Sequence, residues 1–397
     1  MKFTILQENL TKVLARATRL LPAKPQTPDQ SLVLLSAEKG ELVVQVRNPF
    51  SSYRATVQGS IETEGKIAVP AKELSSLVSA IRPGKIEFAI EKDKLFIKAS
   101  GFKAHLLSGE WIEYSQPTTS GSKISVKKED LSDLLAMGGL ASGIDESRPA
   151  FSSLLFESSE SGLQVVSTDG FRLSRAEIGT QEDGGDKESK KKSATGEKSS
   201  KKTSPATTDQ RAIVSAKLAR EGLKIILDTA LETVQIEIGD GSLIARSGGS
   251  EVSVKTLEVE YPNYQAIIPK ESILSATFWA DEALLAMRAV TALDKASSKQ
   301  QVMEMSVGSK DIKLRSLSSD RGDAEATISA EIIRERGEEE FTISFNATFI
   351  IPIVQAMSGE QMEIKLLDPL KPALIQTKPA KHDFLCVVMP FRSSSTS

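Results

Sequence analysis

The chain has 397 residues, with 50 Lys and Arg against 53 Asp and Glu, a formal net charge of −3. That length allows roughly two to four domains with real cores. The near-neutral balance excludes a generalised polyanion binder, so any nucleic-acid contact must come from local placement of charge. A single cysteine, Cys386, excludes an internal disulfide and points to a reducing compartment, while two histidines, His105 and His382, leave little material for zinc or for a histidine-based nucleophile.

The opening, MKFTILQENL, lacks the apolar core of a signal peptide, and no apolar run approaches the roughly 18 residues of a membrane span. A cytoplasmic protein without membrane contact is expected. There is no GxxxxGK[ST] sequence, and no GxGxxG lies between a strand and a helix. His105 sits in the alternating strand pattern FKAHLL and His382 in the polar stretch KPAKHDF, both structural settings. No catalytic residue, metal site or cofactor is expected, and the chain does not read as an enzyme.

Taken in order, the elements repeat. FTILQENLTKVLARA, from Phe3, reads as a short strand, a polar corner and an amphipathic helix. ISVKKEDLSDLLAMG, from Ile124, and ATFWADEALLAMRAV, from Ala276, show the same switch of period. A second set, GKIAVPAKELSSLVSAI, RAIVSAKLAREGLKIIL and FTISFNATFIIPIVQAM, places a strand before a small residue (Ala71, Ala216, Ala347) and an apolar helix. Strand pairs follow each first helix: LVLLSAEKGELVVQV, SLLFESSESGLQVVS and VMEMSVGSKDIKLRS. Hairpins follow each second helix, turning at Lys92-Asp93, Gly239-Asp240-Gly241 and near Asp368-Pro369.

The interval between paired starts is longer in the middle repeat. Residues 181–210 explain it: they contain no aromatic, Leu, Ile, Val or Met, so they cannot bury enough apolar surface to offset their ordering entropy. This stretch reads as a disordered insertion and carries seven lysines against six acids. Without it the repeat is roughly 120 to 130 residues. The expected fold class is α+β, with three repeated domains, each holding two helices packed on antiparallel sheets. The boundaries are 1–122, 123–269 and 270–392, followed by a flexible tail, 393–397.

Basic residues concentrate on helices. Lys12, Arg16 and Arg19 form one stripe of the first helix, opposite Leu10, Val13, Leu14 and Ala17. Lys217, Arg220 and Lys224 form another on the fourth, opposite Leu218, Ile225 and Ile226, and Arg288 lies on the polar side of the fifth. Lys24 follows the first helix. A solvated helix face has the same pattern. If repeats close into a ring with helices inward, these residues (Lys12, Arg16, Arg19, Lys24, Lys217, Arg220, Lys224, Arg288) face an enclosed duplex and contact phosphates without reading sequence.

These features, with particular motifs, resemble the bacterial DNA polymerase sliding clamps, the beta subunits of the replicative holoenzyme. MKFTILQENL is similar to the family's first strand and helix, VSTDGFRLS (166–174) to its TDGxRL signature, and YPNYQAIIP (261–269) to its FPDYxxxxP element. FNATFIIPIVQAM and the ending CVVMPFR resemble its last helix and terminal strand. The resemblance implies three DNA-clamp domains per protomer and a head-to-tail homodimer, a six-domain ring around double-stranded DNA. It implies partners, namely the replicative polymerase, a clamp loader and repair factors, that dock through QLxLF-type motifs.

Residue by residue, the resemblance places the peptide pocket at Arg148, Phe151, Thr168, Gly170, Phe171, Arg172, Leu173, Pro262, Ala266, Ile267, Leu370, Pro372, Val387, Met389, Pro390 and Phe391. Phe171 stands where the family often has His or Tyr, and Ala266 where a long basic residue is common. The chain also runs on past the family's usual end as SSSTS. Edge-strand pairing at the dimer contact is expected from 101–107 in domain one and from near VTALDKASSKQQVMEM in domain three. A different class of protein also fits the repeats: a peptide-binding scaffold that does not encircle DNA. An enzyme built on His105 or His382 lacks any convergent acid, base and nucleophile set.

Overall fold

The computed structural model describes residues 1–38, 40–114, 121–159, 162–179, 210–239, 241–293, 301–316, 322–337, 340–378 and 383–391. The expected insertion, apart from Gln210, and the expected tail lie outside the described residues, as do His382 and 294–300.

Six helices are present among the described residues: α1 (Gln7–Arg19), α2 (Ala71–Ala80), α3 (Lys128–Gly138), α4 (Ala216–Leu227), α5 (Ala280–Val290) and α6 (Ala347–Ala356). Each follows a strand directly, and the remaining elements are antiparallel strands and two short 3₁₀ turns. The change from period 2 to period 3.6 therefore occurs without an intervening loop. Ala71, Ala216 and Ala347 are the first residues of α2, α4 and α6 and are 0%, 2% and 0% exposed. A small apolar side chain suits each buried corner. Asn346 caps α6, its Oδ1 accepting from the Thr348 amide at 3.1 Å and hydroxyl at 2.8 Å.

Contacts divide the chain into two units. The first comprises the described parts of Met1–Leu131, Ser158–Glu160 and Thr180–Leu257. Its 12-stranded sheet runs in the order Phe102–Leu107, Lys94–Ala99, Lys85–Glu91, Lys2–Leu6, Ser51–Thr63, Ser250–Lys255, Ser242–Ser247, Thr233–Gly239 and Ser122–Lys127. Three further strands branch from Ser51–Thr63. Phe3 and Phe88 are cross-strand partners whose rings stack at 4.7 Å. The buried Gln7 donates Nε2 to the Val78 carbonyl at 2.9 Å, joining α1 to α2. The hairpin at Lys92-Asp93 is as expected, and Lys92 takes φ +56, the left-handed value that a two-residue turn demands. Phe102–Leu107 lies at one end of the sheet, with Leu107 58% exposed.

The second unit comprises the described parts of Ser132–Glu157, Ser161–Gly179 and Glu258–Ser397. One run of strands follows the order Ser153–Ser158, Gly162–Thr168, Arg172–Gly179, Asp383–Val388, Ala373–Thr377, Gln361–Leu366, Leu274–Trp279 and Glu331–Arg334. A 4-stranded sheet pairs Glu325–Ser329, Asp311–Ser316, Val302–Val307 and Phe341–Asn346. Helix α5 packs against α6, and both touch strands of the two sheets. Of the stretch 290–305 near which a second chain is expected to pair, 294–300 lies outside the described residues and Val302–Val307 is paired on both sides, so that strand offers no edge; the ends of that sheet are Glu325–Ser329 and Phe341–Asn346.

A buried polar knot joins the end of α3 to the strands. The Gly138 carbonyl accepts from the Ser167 and Ser174 hydroxyls at 2.7 and 2.9 Å, and both oxygens accept from the Ala141 amide at 3.0 and 3.1 Å. Ser167 and Ser174 are cross-strand partners and fully buried. Gly138 is required because a Cβ there would lie 2.6 Å from the Val165 carbonyl oxygen. Gly138→Ala should therefore destabilise the chain by about 1–3 kcal/mol, the usual cost of overpacking. Urea denaturation with an unchanged m-value checks this; an unaltered midpoint would show that the helix end yields freely.

Candidate functional site

The second unit carries a groove of about 570 Å³. Phe151, Thr168, Gly170, Phe171, Arg172, Leu173, Pro262, Ala266, Ile267, Pro372, Val387 and Met389, all expected from the sequence, line it, together with Ile268, Pro269, Leu367 and Lys371, which were not. Two strand pairings bring these distant segments together. Arg172–Gly179 pairs with Asp383–Val388, placing Leu173 opposite Val387, and Asp383–Val388 also pairs with Ala373–Thr377. The ladder continues past the last strand residue, where the Met389 amide donates to the Phe171 carbonyl at 2.9 Å. Leu173 and Val387 form a buried floor, while Phe171, Ile267 and Met389 are 58%, 48% and 39% exposed around it. Large apolar side chains held open to solvent in a concave surface suit apolar anchors of a partner.

The Thr-Asp-Gly turn shapes one wall. Asp169 Oδ1 accepts from the Phe171 and Arg172 amides at 2.9 and 3.0 Å, and its Oδ2 accepts from Arg172 Nε at 3.0 Å. The Thr168 hydroxyl donates to the Arg172 carbonyl at 2.8 Å and accepts from the Gly170 amide at 3.2 Å. Gly170 has φ +93, which a side chain would strain. The Arg172 guanidinium lies 5.0 Å from the Phe349 ring centre, and Phe171 stacks on Phe349 at 6.1 Å. Sequence reasoning missed Asp169 as a site residue although it lies inside the TDG signature. It also missed Phe349, which only the packing of α6 brings there.

The opposite wall is tied down by two tyrosines. The Tyr261 hydroxyl donates to the Val166 carbonyl at 3.2 Å. Glu157 Oε2 accepts from the Tyr264 hydroxyl and from Gln164 Nε2, each at 2.7 Å. Burial raises both tyrosine pKa values, and the bond to Glu157 raises that of Tyr264 further. Pro262 to Pro269 is thereby held against the strands. Cys386, next to Val387 in the same strand, is fully buried, and burial pushes its thiol well up.

Four expected residues do not line the groove. Val387 and Met389 share one face of the terminal strand, so Pro390 falls on the other and is buried, and the Phe391 amide donates to the Ser344 carbonyl at 2.7 Å. Leu370 is 57% exposed on a turn whose Asp368 carboxylate accepts its amide. Arg148 is exposed beside the lining, its guanidinium 4.2 Å from the centre of the Phe151 ring.

Among the residues expected to face DNA, Lys12, Lys24, Lys217, Arg220, Lys224 and Arg288 are exposed. Arg16 and Arg19 are half-buried and tie α1 to α4 within the first unit: Arg19 pairs with Asp228 at 2.9 Å and Glu221 at 3.3 Å, and Arg16 donates to the Asp228 carbonyl at 3.2 Å. The stripe predicted to be open is thus partly engaged by acids of the neighbouring basic helix. Arg288 donates to Gln355 on α6. No group of three or more His, Cys, Asp or Glu among the described residues could hold a metal ion.

Asp169→Ala should cost about 2–3 kcal/mol, because two amides and a guanidinium lose a charged acceptor. Asp169→Asn should cost less than half of that, since an amide oxygen still caps the turn; equal losses in denaturant titrations would contradict this account.

Residues 1–114 match the family described as DNA polymerase III beta subunit, N-terminal domain, and residues 265–392 match DNA polymerase III beta subunit, C-terminal domain. The beta sliding clamp of Caulobacter vibrioides is 24% identical over 402 residues, covering 99% of this chain and 100% of that protein. The structure of the DNA polymerase III subunit beta from Pseudomonas aeruginosa shares the fold, with a TM-score of 0.85, 21% identity and coverage of 99% and 100%. A sliding clamp from the same organism bound to griselimycin matches with a TM-score of 0.84, 21% identity and the same coverage. The strand-to-helix repeats, the TDGFRL turn and the terminal-strand groove thus occur in a chain that belongs to the DNA polymerase III beta subunit family of sliding clamps.

Proposed function

We propose that this sliding clamp acts as a non-catalytic tether, closing with a second copy into a ring around double-stranded DNA and holding polymerase, clamp loader and repair factors through the groove. The observation that carries the reading is the groove itself. Segments near residues 151, 170, 265, 370 and 388 converge on a concave apolar surface with exposed Phe171, Ile267 and Met389. A linear QLxLF-type motif would seat its Leu and Phe anchors on Leu173, Val387 and Met389. Tethering raises the effective concentration of polymerase at the primer end without a tight contact to DNA.

The division into three clamp domains, 1–122, 123–269 and 270–392, belongs to the same reading. It is supported by six helices in strand-to-helix pairs, two in each span. The exposed lysines of α1 and α4 supply the basic lining, and phosphate contact there would be weakly sequence-dependent. Phe102–Leu107, at a sheet end, is the edge offered to the second copy.

Two measurements test this reading. A fluorescent QLxLF-type peptide should bind the full chain with a Kd of about 1 μM, and Met389→Ala should weaken it about tenfold; absence of binding by a folded chain would remove the groove assignment. Loaded clamp should be retained on closed circular DNA and lost from linearised DNA. Equal retention would favour a scaffold that does not encircle the duplex.

A further inference from the structure

We propose that Lys371 selects among the peptides this groove accepts by pairing with a carboxylate carried beside their apolar anchors. The inference rests on the reading of the groove as a peptide site and goes beyond it by naming the partner's charge. Two cations and no acid line the groove. The first, Arg172, is already used: its Nε is bonded to Asp169 at 3.0 Å, its guanidinium lies over Phe349, and its side chain is only 15% exposed. Its charge is neutralised inside the wall.

Lys371 differs in each respect. Its backbone amide donates to the Asp368 carbonyl at 3.0 Å, so the turn fixes where the side chain begins. The residue is exposed, and its ammonium has no hydrogen bond or ion pair among the described residues. The acid in the same turn, Asp368, accepts from the Leu370 amide at 2.8 Å and does not pair with the lysine. Leu367 and Pro372 flank it with apolar surface, where a charge is less well screened than in open water. A segment whose anchors occupy the floor brings its neighbouring residues to this lip. A carboxylate there gains a partner, and a lysine or arginine meets a like charge. The contact sorts partners more than it strengthens all of them.

The test uses the full chain and three fluorescent peptides with the QLxLF anchors, whose middle and flanking residues are all Asp, all Ser or all Lys. At about 50 mM salt the Asp peptide should bind about 2- to 5-fold tighter than the Ser peptide, and the Lys peptide correspondingly weaker. The ranking should flatten in Lys371→Gln, invert in Lys371→Glu and shrink in high salt. Lys310→Glu, an exposed change that does not line the groove, should keep the wild-type ranking. Three equal affinities in wild type, or an unchanged ranking in Lys371→Glu, would overturn the role of Lys371 while leaving the groove intact. Failure of all three peptides to bind the folded chain would remove the groove reading and this inference with it.

Discussion

Everything at the groove depends on one ladder: Arg172–Gly179 zipped antiparallel to Asp383–Val388. Backbone hydrogen bonds fix its register, and a slip by one residue would turn Leu173 and Val387 away from the floor and bring their buried neighbours out. The same ladder sets the position of the Thr-Asp-Gly turn at one end and of Met389 just beyond the other strand. Ser174 and Ser167, paired across the adjacent strands, anchor the turn from below by holding the end of α3. These bonds hold the groove walls in place. A peptide docking as proposed would not need to order them, which would lower the entropic cost of binding.

Polar groups here are used for construction as much as for recognition. Asp169 satisfies two amides and one guanidinium, and Glu157 takes two donors from Tyr264 and Gln164. A buried or half-buried acceptor without such donors would be costly, so each acid is matched to the segment it fixes. Among the lining residues, the apolar side chains and Lys371 are the ones left without such internal bonds. On the proposed reading that combination would bind by anchor burial and discriminate by charge.

The charge pattern on α1 and α4 has a similar double use. Two arginines hold the helices to each other through Glu221 and Asp228, and the lysines stay in solvent. Surface ion pairs of this kind contribute little stability singly. They link α1 to α4 within the first unit. On the proposed reading, weak phosphate contacts by these lysines would suit a ring held on DNA by topology, because strong contacts would oppose sliding.

Much of this was legible in the sequence, because periodicity and small-residue corners are local properties. The six helices, the strand-to-helix switches at Ala71, Ala216 and Ala347, and the Lys92-Asp93 hairpin follow from residues within one or two turns of each other. Most of the groove was legible as well, since its residues lie in short motifs whose order is informative. Tertiary structure decided what no local pattern contains. Phe349 reaches the groove only because α6 packs beside it, and Lys371 lines it while Leu370 turns outward. Pro390 is buried because side chains alternate along the terminal strand. Arg16 and Arg19 looked like open cations until α4 supplied their acids. For Phe349, Arg16 and Arg19 the partner is far away in the chain, and the side-chain direction that matters is set by packing between elements, which a one-dimensional pattern does not encode.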